Sequence, residues 1–436
     1  MRTVFDQVLG GLAQILISHL PTLQDMRPVY VNRDLNGRVR LIVDEKYQND
    51  PAKHVVLNDI VNRMHETLSP HTYRPEESIL WEYNIASVVD GQVTFPLEGC
   101  PGIHVIDRLA VEGDWSNVAP VAMKSPRVVF FSIKGGVGRS SALAVTAWAL
   151  AQQGKRVLVL DLDLESPGLS YSLLPADRRP AKGIVDWLVE DLVGNGDTVL
   201  ADMIANSNLS HDGEISVVPA YGNDPGEYIA KLGRVWMPKL NAEGRREPWF
   251  ERLGRLLDDL EARLTPEVVL LDSRAGIDEV ASACLTGLGA SLILLFAFDG
   301  DQTWSGYRII FRHWRKTGVV REIRERLQIV GAMIPEIGSA DYLAGLRDSA
   351  WDAFSEELYD EVPASPEPTL DELWSFDRDD ESAPHYPWPV QWNRGFAALR
   401  SLHDRLVGIN GAEIVPIFGA LTEGVSRCVA TEAPAT

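Results

Sequence analysis

From Arg127 to Gly154 the chain reads RVVFFSIKGGVGRSSALAVTAWALAQQG. Val128 to Ile133 is a short apolar run, as a strand covered on both faces requires. From Ala142 onward the residues are small and apolar with helical spacing. Between the two stands KGGVGRSS, Lys134 to Ser141, at a strand-to-helix turn. Glycines at 135, 136 and 138 let backbone N–H groups converge on phosphate oxygens, and the helix N-terminus adds partial positive charge. The Ser140 hydroxyl suits a Mg²⁺ ligand. Lys134, Gly135, Gly136, Val137, Gly138, Arg139, Ser140 and Ser141 therefore read as a phosphate-binding loop. The plainer alternative is a glycine-rich tight turn.

Outward from this loop the same grammar repeats. RVLVLDLD, ISVVPAYG, VVLLDSRAG, SLILLFAFD and LQIVGAMIP are apolar runs closed by small or acidic residues, with helical stretches between them. Apolar strands alternating with helices predict an α/β fold, a doubly wound and mostly parallel sheet. Ala281 to Phe298 carries no charge, but Gly287, Gly289 and Ser291 split it, so it reads as a short helix and a buried strand rather than a membrane span.

Residues 1–120 read as a small α+β module. Its signs are a helix over Leu9 to Leu20, a hairpin turning at Asn36-Gly37, a helix over Val55 to Leu68 and a strand pair in ASVVDGQVTFPL. The core is expected over 121–340. In 341–436, Glu361 to Pro389 reads as an acidic, Pro-rich insertion, WNRGFAALRSLHDRLVG as a terminal helix and VATEAPAT as a disordered tail.

Among the 436 residues, 41 Lys+Arg stand against 62 Asp+Glu, a net charge of −21, which disfavours coating of DNA or anionic lipid by charge alone. Cys100, Cys284 and Cys428 are far apart, which excludes a zinc ribbon or thiol redox motif and suits free thiols in a reducing cytoplasm. The N-terminus does not read as a signal peptide. The expected location is cytoplasmic.

Two further strand ends carry carboxylates. Asp161 and Asp163 share one side of their strand by alternation. Asp272 closes VVLLD. All three belong at the crevice above the sheet, where ligands sit in such folds.

Together, KGGVGRSS, the DxD at Asp161 to Asp163 and DSRAGI at Asp272 to Ile277 resemble the deviant Walker A family of ParA/MinD P-loop ATPases. The resemblance covers roughly Pro126 to Pro335. It implies ATP and Mg²⁺ as cofactors and a homodimer formed on ATP binding. It implies that Lys134 reaches across the dimer to the partner's phosphates and that Asp163 orients the attacking water, the two catalytic positions. Ser140, Asp161 and Asp272 are then the metal-side residues, with Asp272 acting through the ion's water shell. Glu165 to Gly168 matches a switch segment by position. Two positions depart from the pattern. Arg139 replaces a lysine, which leaves open an active ATPase, slowed or not, or a binding-only site. Arg274 replaces a proline, as a phosphate contact, a partner contact or a solvated arginine.

The implied function is an ATP-hydrolysing dimerisation switch that signals to a protein partner. One alternative is a slow or non-hydrolysing nucleotide-bound scaffold in a multi-protein defence or partition apparatus. Another is a kinase or ligase of the same superfamily acting on a small substrate. Arg308, Arg312, Arg315, Lys316, Arg321, Arg324 and Arg326 form the one basic concentration and the one candidate nucleic-acid face, with a solvated helix face favoured over it. No basic amphipathic helix for membranes is present at the C-terminus. The base-contacting segment is expected at the end of LQIVGAMIP or in FDRDDESAPHYP. Trp374, Trp388 and Trp392 cluster near the acidic stretch as candidate anchors for a partner, with packing of an irregular loop onto the core the favoured reading.

Overall fold

The computed structural model describes residues 3–90, 92–109, 113–209, 212–241, 244–361, 373–397 and 402–431. The chain divides into two compact units, residues 1–111 with 316–318, and residues 112–315 with 319–436.

The first unit carries the strands Tyr30–Arg33 (β1), Val39–Asp44 (β2), Ile79–Glu82 (β3), Val93–Pro96 (β4) and His104–Asp107 (β5). Their order is β3-β2-β1-β5-β4. β1 and β2 form the expected antiparallel hairpin, with Gly37 at φ 79° in the turn. Helices Phe5–Ile17 and Pro51–Leu68 set Leu12, Leu16, Ile60 and Met64 against Val31, Leu41 and Val105. The Asp50 side chain caps the second helix by accepting from the Ala52 and Lys53 amides. The expected strand at ASVV is instead a helical turn, Ile85–Val89, capped by Asn84. Its β-branched residues pack with Ile42 and Ile106 on the second sheet face, a tertiary contact that outweighs local propensity. Gly91 of the expected turn lies outside the described residues.

The second unit is built on Arg127–Ser132 (β6), Arg156–Asp161 (β7), Ala205–Asn206 (β8) and Glu214–Val218 (β9). A small hairpin, Lys239–Leu240 (β10) with Arg246–Glu247 (β11), stands apart. Val268–Asp272 (β12), Leu292–Ala297 (β13), Leu327–Ile334 (β14) and Trp388–Gln391 (β15) complete the main sheet. Its order is β15-β14-β13-β6-β12-β7-β9-β8, parallel throughout except for the β8–β9 pair. The expected doubly wound, mostly parallel sheet is the observed fold.

The sheet separates two cores by residue parity. Val129, Phe131, Leu158, Leu160, Val269 and Leu271 enter one, and Val128, Phe130, Val157, Val159, Val268, Leu270 and Phe296 enter the other. Each such side chain stabilises the fold by roughly 1.5–3 kcal/mol through burial. The helix Arg139–Gln152 lies against the second core, where Ala142, Ala144, Ala147 and Ala151 keep its side chains small and its approach close. Glu279–Ser282, a π-helical turn Ala283–Gly287 and β13 occupy the uncharged stretch, as expected. Among the described residues no helix is long and apolar enough to cross a membrane.

The C-terminal reading needs correction. The acidic Pro-rich stretch, expected to Pro389, runs into an edge strand, β15, which Pro387 just before it and Pro389 within it conceal. Proline is tolerated there because an edge strand can leave amide positions unpaired. Residues 362–372 of that stretch lie outside the described residues. The expected terminal helix is represented by two short pieces, Arg394–Ala397 and Leu402–Val407. A longer helix, Gly411–Thr431, follows despite Pro416 and takes in the start of the expected tail. Residues 432–436 lie outside the described residues. The three tryptophans do not form one patch. Trp374 packs on Tyr359 and Phe376, Trp388 lies in β15, and the Trp392 amide donates to the Ile334 carbonyl. Cys100, Cys284 and Cys428 form no disulfide with one another, and the first two are buried.

Candidate functional site

The P-loop follows β6 directly. Gly136 (φ 80°) and Gly138 (φ 79°) take left-handed conformations that favour glycine, and Gly138 caps the helix Arg139–Gln152. A Cβ placed at Gly135 or Gly136 would meet nothing within 4 Å, so the backbone faces open space. That space is a cavity of about 310 Å³, lined by Ser132, the loop Gly135–Ser141, Asp163, Ser166 and Ala275. Ser132 Oγ donates to the Lys134 carbonyl at 2.8 Å and fixes the loop's first turn.

Asp161 and Asp272 are cross-strand partners at the ends of β7 and β12. Register sets them at one height below the loop, and both are buried. Asp161 Oδ2 accepts from the Leu169 amide at 3.1 Å, while its Oδ1 has no hydrogen-bond partner. Burial, and then repulsion from Asp272 and Asp163, push its carboxyl up to about 8. Burial also raises Asp163, against the opposing pull of Arg139.

Arg139 is the centre of this cluster. It is 6% exposed. Its guanidinium turns under the loop, with Nε 2.8 Å from Asp272 Oδ1, Nη1 3.3 Å from Ser132 Oγ and Nη2 3.5 Å from Asp163 Oδ2. Burial opposes its charge, yet Asp272 beside it holds its pKa above the ordinary arginine value. Asp163 is further held by the Ser166 amide, which donates to its Oδ1 at 3.2 Å.

The predicted residues thus fall into three groups. Gly135, Gly136, Val137, Gly138, Arg139, Ser140, Ser141 and Asp163 line the cavity. Asp161 and Asp272 lie beneath it and reach it through Arg139. Lys134 lies outside the lining, its Nζ 6.0 Å from the centre of the Phe298 ring. Sequence reasoning placed Ser166 only within the switch segment Glu165 to Gly168, and it missed Ser132 and Phe298. Phe298 had a signal, since it closes the apolar run SLILLFAF, whose strand lies beside β6 in the sheet.

Among the described residues no three His, Cys, Asp or Glu side chains converge as a metal cage. A P-loop ion needs no such cage, because it is held by one hydroxyl, phosphate oxygens and water. The Ser140 hydroxyl, the Asp272 carboxylate and the orphaned Asp161 oxygen fit a hydrated divalent cation of that kind.

Of the two stretches expected at the base, FDRDDESAPHYP is excluded by topology. Pro384 and Tyr386 bond at the start of β14, the end of the sheet away from the P-loop. At the other end of β14, Met333 (φ 57°) stands near Gly138, whose added Cβ would lie 4.0 Å from the Met333 sulfur.

The basic concentration is charge-compensated. Arg308 pairs with Glu356 at 2.8 Å, Arg312 with Glu357 at 3.0 Å and Arg324 with Asp360 at 2.8 Å, while Arg315 lies 3.9 Å from Glu357. Arg326 donates to the carbonyls of Ala119 and Ala290. Five of the seven basic side chains therefore have partners in the fold, with the helix Ser339–Glu357 and the residues just after it supplying counter-charge to four of them.

The family model CbiA, the CobQ/CobB/MinD/ParA nucleotide binding domain, matches residues 128–365, more than half of the chain. The septum site-determining protein MinD of Escherichia coli is 25% identical over 158 residues, 36% of this chain and 48% of that protein. The iron-sulfur cluster carrier protein of Haemophilus influenzae is 49% identical over 47 residues, 11% of this chain and 13% of that protein. The chain thus spans about half the length, or less, of these curated relatives. A solved structure of MinD from Pyrococcus horikoshii, complexed with Mg-ADP, aligns at 16% identity and a TM-score of 0.40, over 71% of this chain and 100% of that one. With the P-loop, its two flanking acidic strand ends and this family match in hand, the chain belongs to the CobQ/CobB/MinD/ParA nucleotide-binding domain family.

Proposed function

We propose that the chain is an ATP-hydrolysing, Mg²⁺-dependent dimerisation switch that signals to a protein partner. One observation carries this reading. An open phosphate-sized cradle of backbone amides sits directly over three carboxylates and a buried guanidinium. The amides of Gly135–Ser141 bind the phosphates, and the helix N-terminus favours their negative charge. Ser140 and Asp272 hold the ion, with Asp161 beside them. When bound, Mg²⁺ neutralises charge on the phosphate oxygens. Arg139 leaves Asp163 and turns to the phosphates, which frees an Asp163 oxygen to orient water. Lys134, resting near Phe298, is the residue that reaches the second protomer.

The test is paired. ATP turnover is measured with and without Mg²⁺, and mass by light scattering in the same solutions. Turnover that depends on Mg²⁺, together with a doubling of mass with ATP, is expected. A chain that stays monomeric with ATP·Mg²⁺ sinks the switch. The scaffold reading rests on a different observation, the grip of Asp272, Ser132 and Asp163 on Arg139. If Arg139 keeps those partners when nucleotide binds, Asp163 stays occupied and turnover is absent. Wild-type turnover no greater than that of Asp163→Ala decides for the scaffold.

A further inference from the structure

Arg274 stands in the loop after β12, where the family pattern has proline. It is neither solvated alone nor part of the phosphate cavity. Its Nη2 lies 2.5 Å from Glu165 Oε2, and its Nη1 lies 3.2 Å from Asp278 Oδ2. Glu165 belongs to the loop after β7, two residues beyond Asp163. Asp278 caps the helix Glu279–Ser282, its Oδ1 accepting from the Ala281 amide at 2.8 Å. The guanidinium therefore ties the Asp163 loop to a fixed helix start on the neighbouring strand's loop.

We propose that Arg274 is a positioning residue, a clip that holds Glu165 and, through the backbone, sets where Asp163 stands over the P-loop. The clip rests on the hydrolase reading above for its effect on turnover, but not for its effect on loop motion. Three observations support it. First, all three side chains are about one-quarter to two-fifths exposed, so the pairs contribute little to global stability and their consequence is local. Second, the Asp163 loop is also secured through the Ser166 and Leu169 amides and at the Leu164 carbonyl, which accepts from the Tyr228 hydroxyl, while the Glu165 side chain between these points has its carboxylate on Arg274. Third, Ala275, the next residue, lines the cavity. A displacement of the clip is thus felt on both sides of the phosphate.

The experiment uses the full chain and four proteins: wild type, Arg274→Gln, Glu165→Gln and the double variant. In nucleotide-free protein, amide hydrogen exchange across residues 164–169 is expected to quicken about threefold to tenfold in either single variant. The double variant should be no faster than Arg274→Gln, since Glu165→Gln removes only a pair that Arg274→Gln has already removed. With ATP and Mg²⁺, kcat should fall about tenfold with KM within about twofold, the signature of lost positioning rather than lost binding. Unchanged exchange overturns the clip. So do losses that add in the double variant, or a raised KM at unchanged kcat, which would make Arg274 a direct phosphate contact. A wild type without turnover whose exchange responds as stated keeps the clip and sinks the hydrolase reading instead.

Discussion

Two buried arginines, one at the start of β6 and one just beyond its end, are built from the same parts to different effect. Arg127 donates to Glu261 at 2.7 Å, to Asp258 at 2.6 Å and to the Leu288 carbonyl at 2.9 Å. Both carboxylates come from one helix, Trp249–Leu264. Arg139 has a looser set, with one contact at 2.8 Å and two at 3.3 and 3.5 Å, and its carboxylates sit at the ends of two strands beside an open cavity. The first arginine has partners that nothing can replace. The second has partners that a cation or a phosphate can take over. Burial and ion pairing alone do not distinguish a structural arginine from a functional one. The mobility of the partners and the space beside them do.

The largest effect expected from this comparison is at Arg127. Arg127→Ala leaves Glu261 buried without its charge partner and lowers stability by about 3–5 kcal/mol. Thermal melts should show the loss equally with and without Mg²⁺. Arg139→Ala should cost less, about 1–3 kcal/mol, because the vacated space opens to the cavity. Here Mg²⁺ should recover most of the loss, since a cation can stand where the guanidinium stood. Equal rescue of both variants by Mg²⁺, or of neither, breaks the distinction.

A pH-dependent effect follows from Asp161. Its carboxyl is raised from the ordinary value of 3.8 to about 8 in the folded chain. Below the unfolded value both states are protonated, and the stabilising contribution is complete. As pH rises toward 8 the unfolded chain gives up this proton while the folded chain keeps it, so stability falls. Melts in chelator from pH 5 to 8 should show a downward slope that Asp161→Asn flattens. An unchanged slope in that variant removes Asp161 as its source. The smallest effect is at Arg308. Its pair with Glu356 is largely solvent-exposed, so Arg308→Ala should change stability by less than about 1 kcal/mol. Because the charge is already compensated, it should leave any retention on duplex DNA unchanged. A marked loss of retention restores a nucleic-acid face there.

What was legible in the sequence was what strands and turns dictate locally. The apolar run of β6, the small residues after it and the acidic ends of β7 and β12 set the sheet and brought Asp161 and Asp272 together by register. Three kinds of feature were not legible. The direction of a long side chain is one, since nothing local tells Arg139 to turn down to Asp272 instead of up to the cavity. Pairs far apart in the chain are another, such as Arg274 with Glu165 or Arg324 with Asp360. The third is structure that proline conceals. β15 survives Pro389 because it is an edge strand, and the helix Gly411–Thr431 survives Pro416 close to its start.

The parity of β6 has a consequence for what this chain tolerates. Val129 and Phe131 feed one core, while Val128 and Phe130 feed the other, with Ser132 on the latter side, beside Arg139. The strand therefore works as a reading frame. Inserting one alanine between Val129 and Phe130 hardly alters composition or hydropathy. It nevertheless shifts the frame on one side of the insertion relative to the other. Either Phe130 and Phe131 exchange cores and Ser132 turns away from Arg139, or the preceding strand and its Arg127 anchor flip instead. A two-residue insertion restores the phase. It is the alternation in this strand, beyond the glycines that follow it, that keeps the phosphate loop facing the right way.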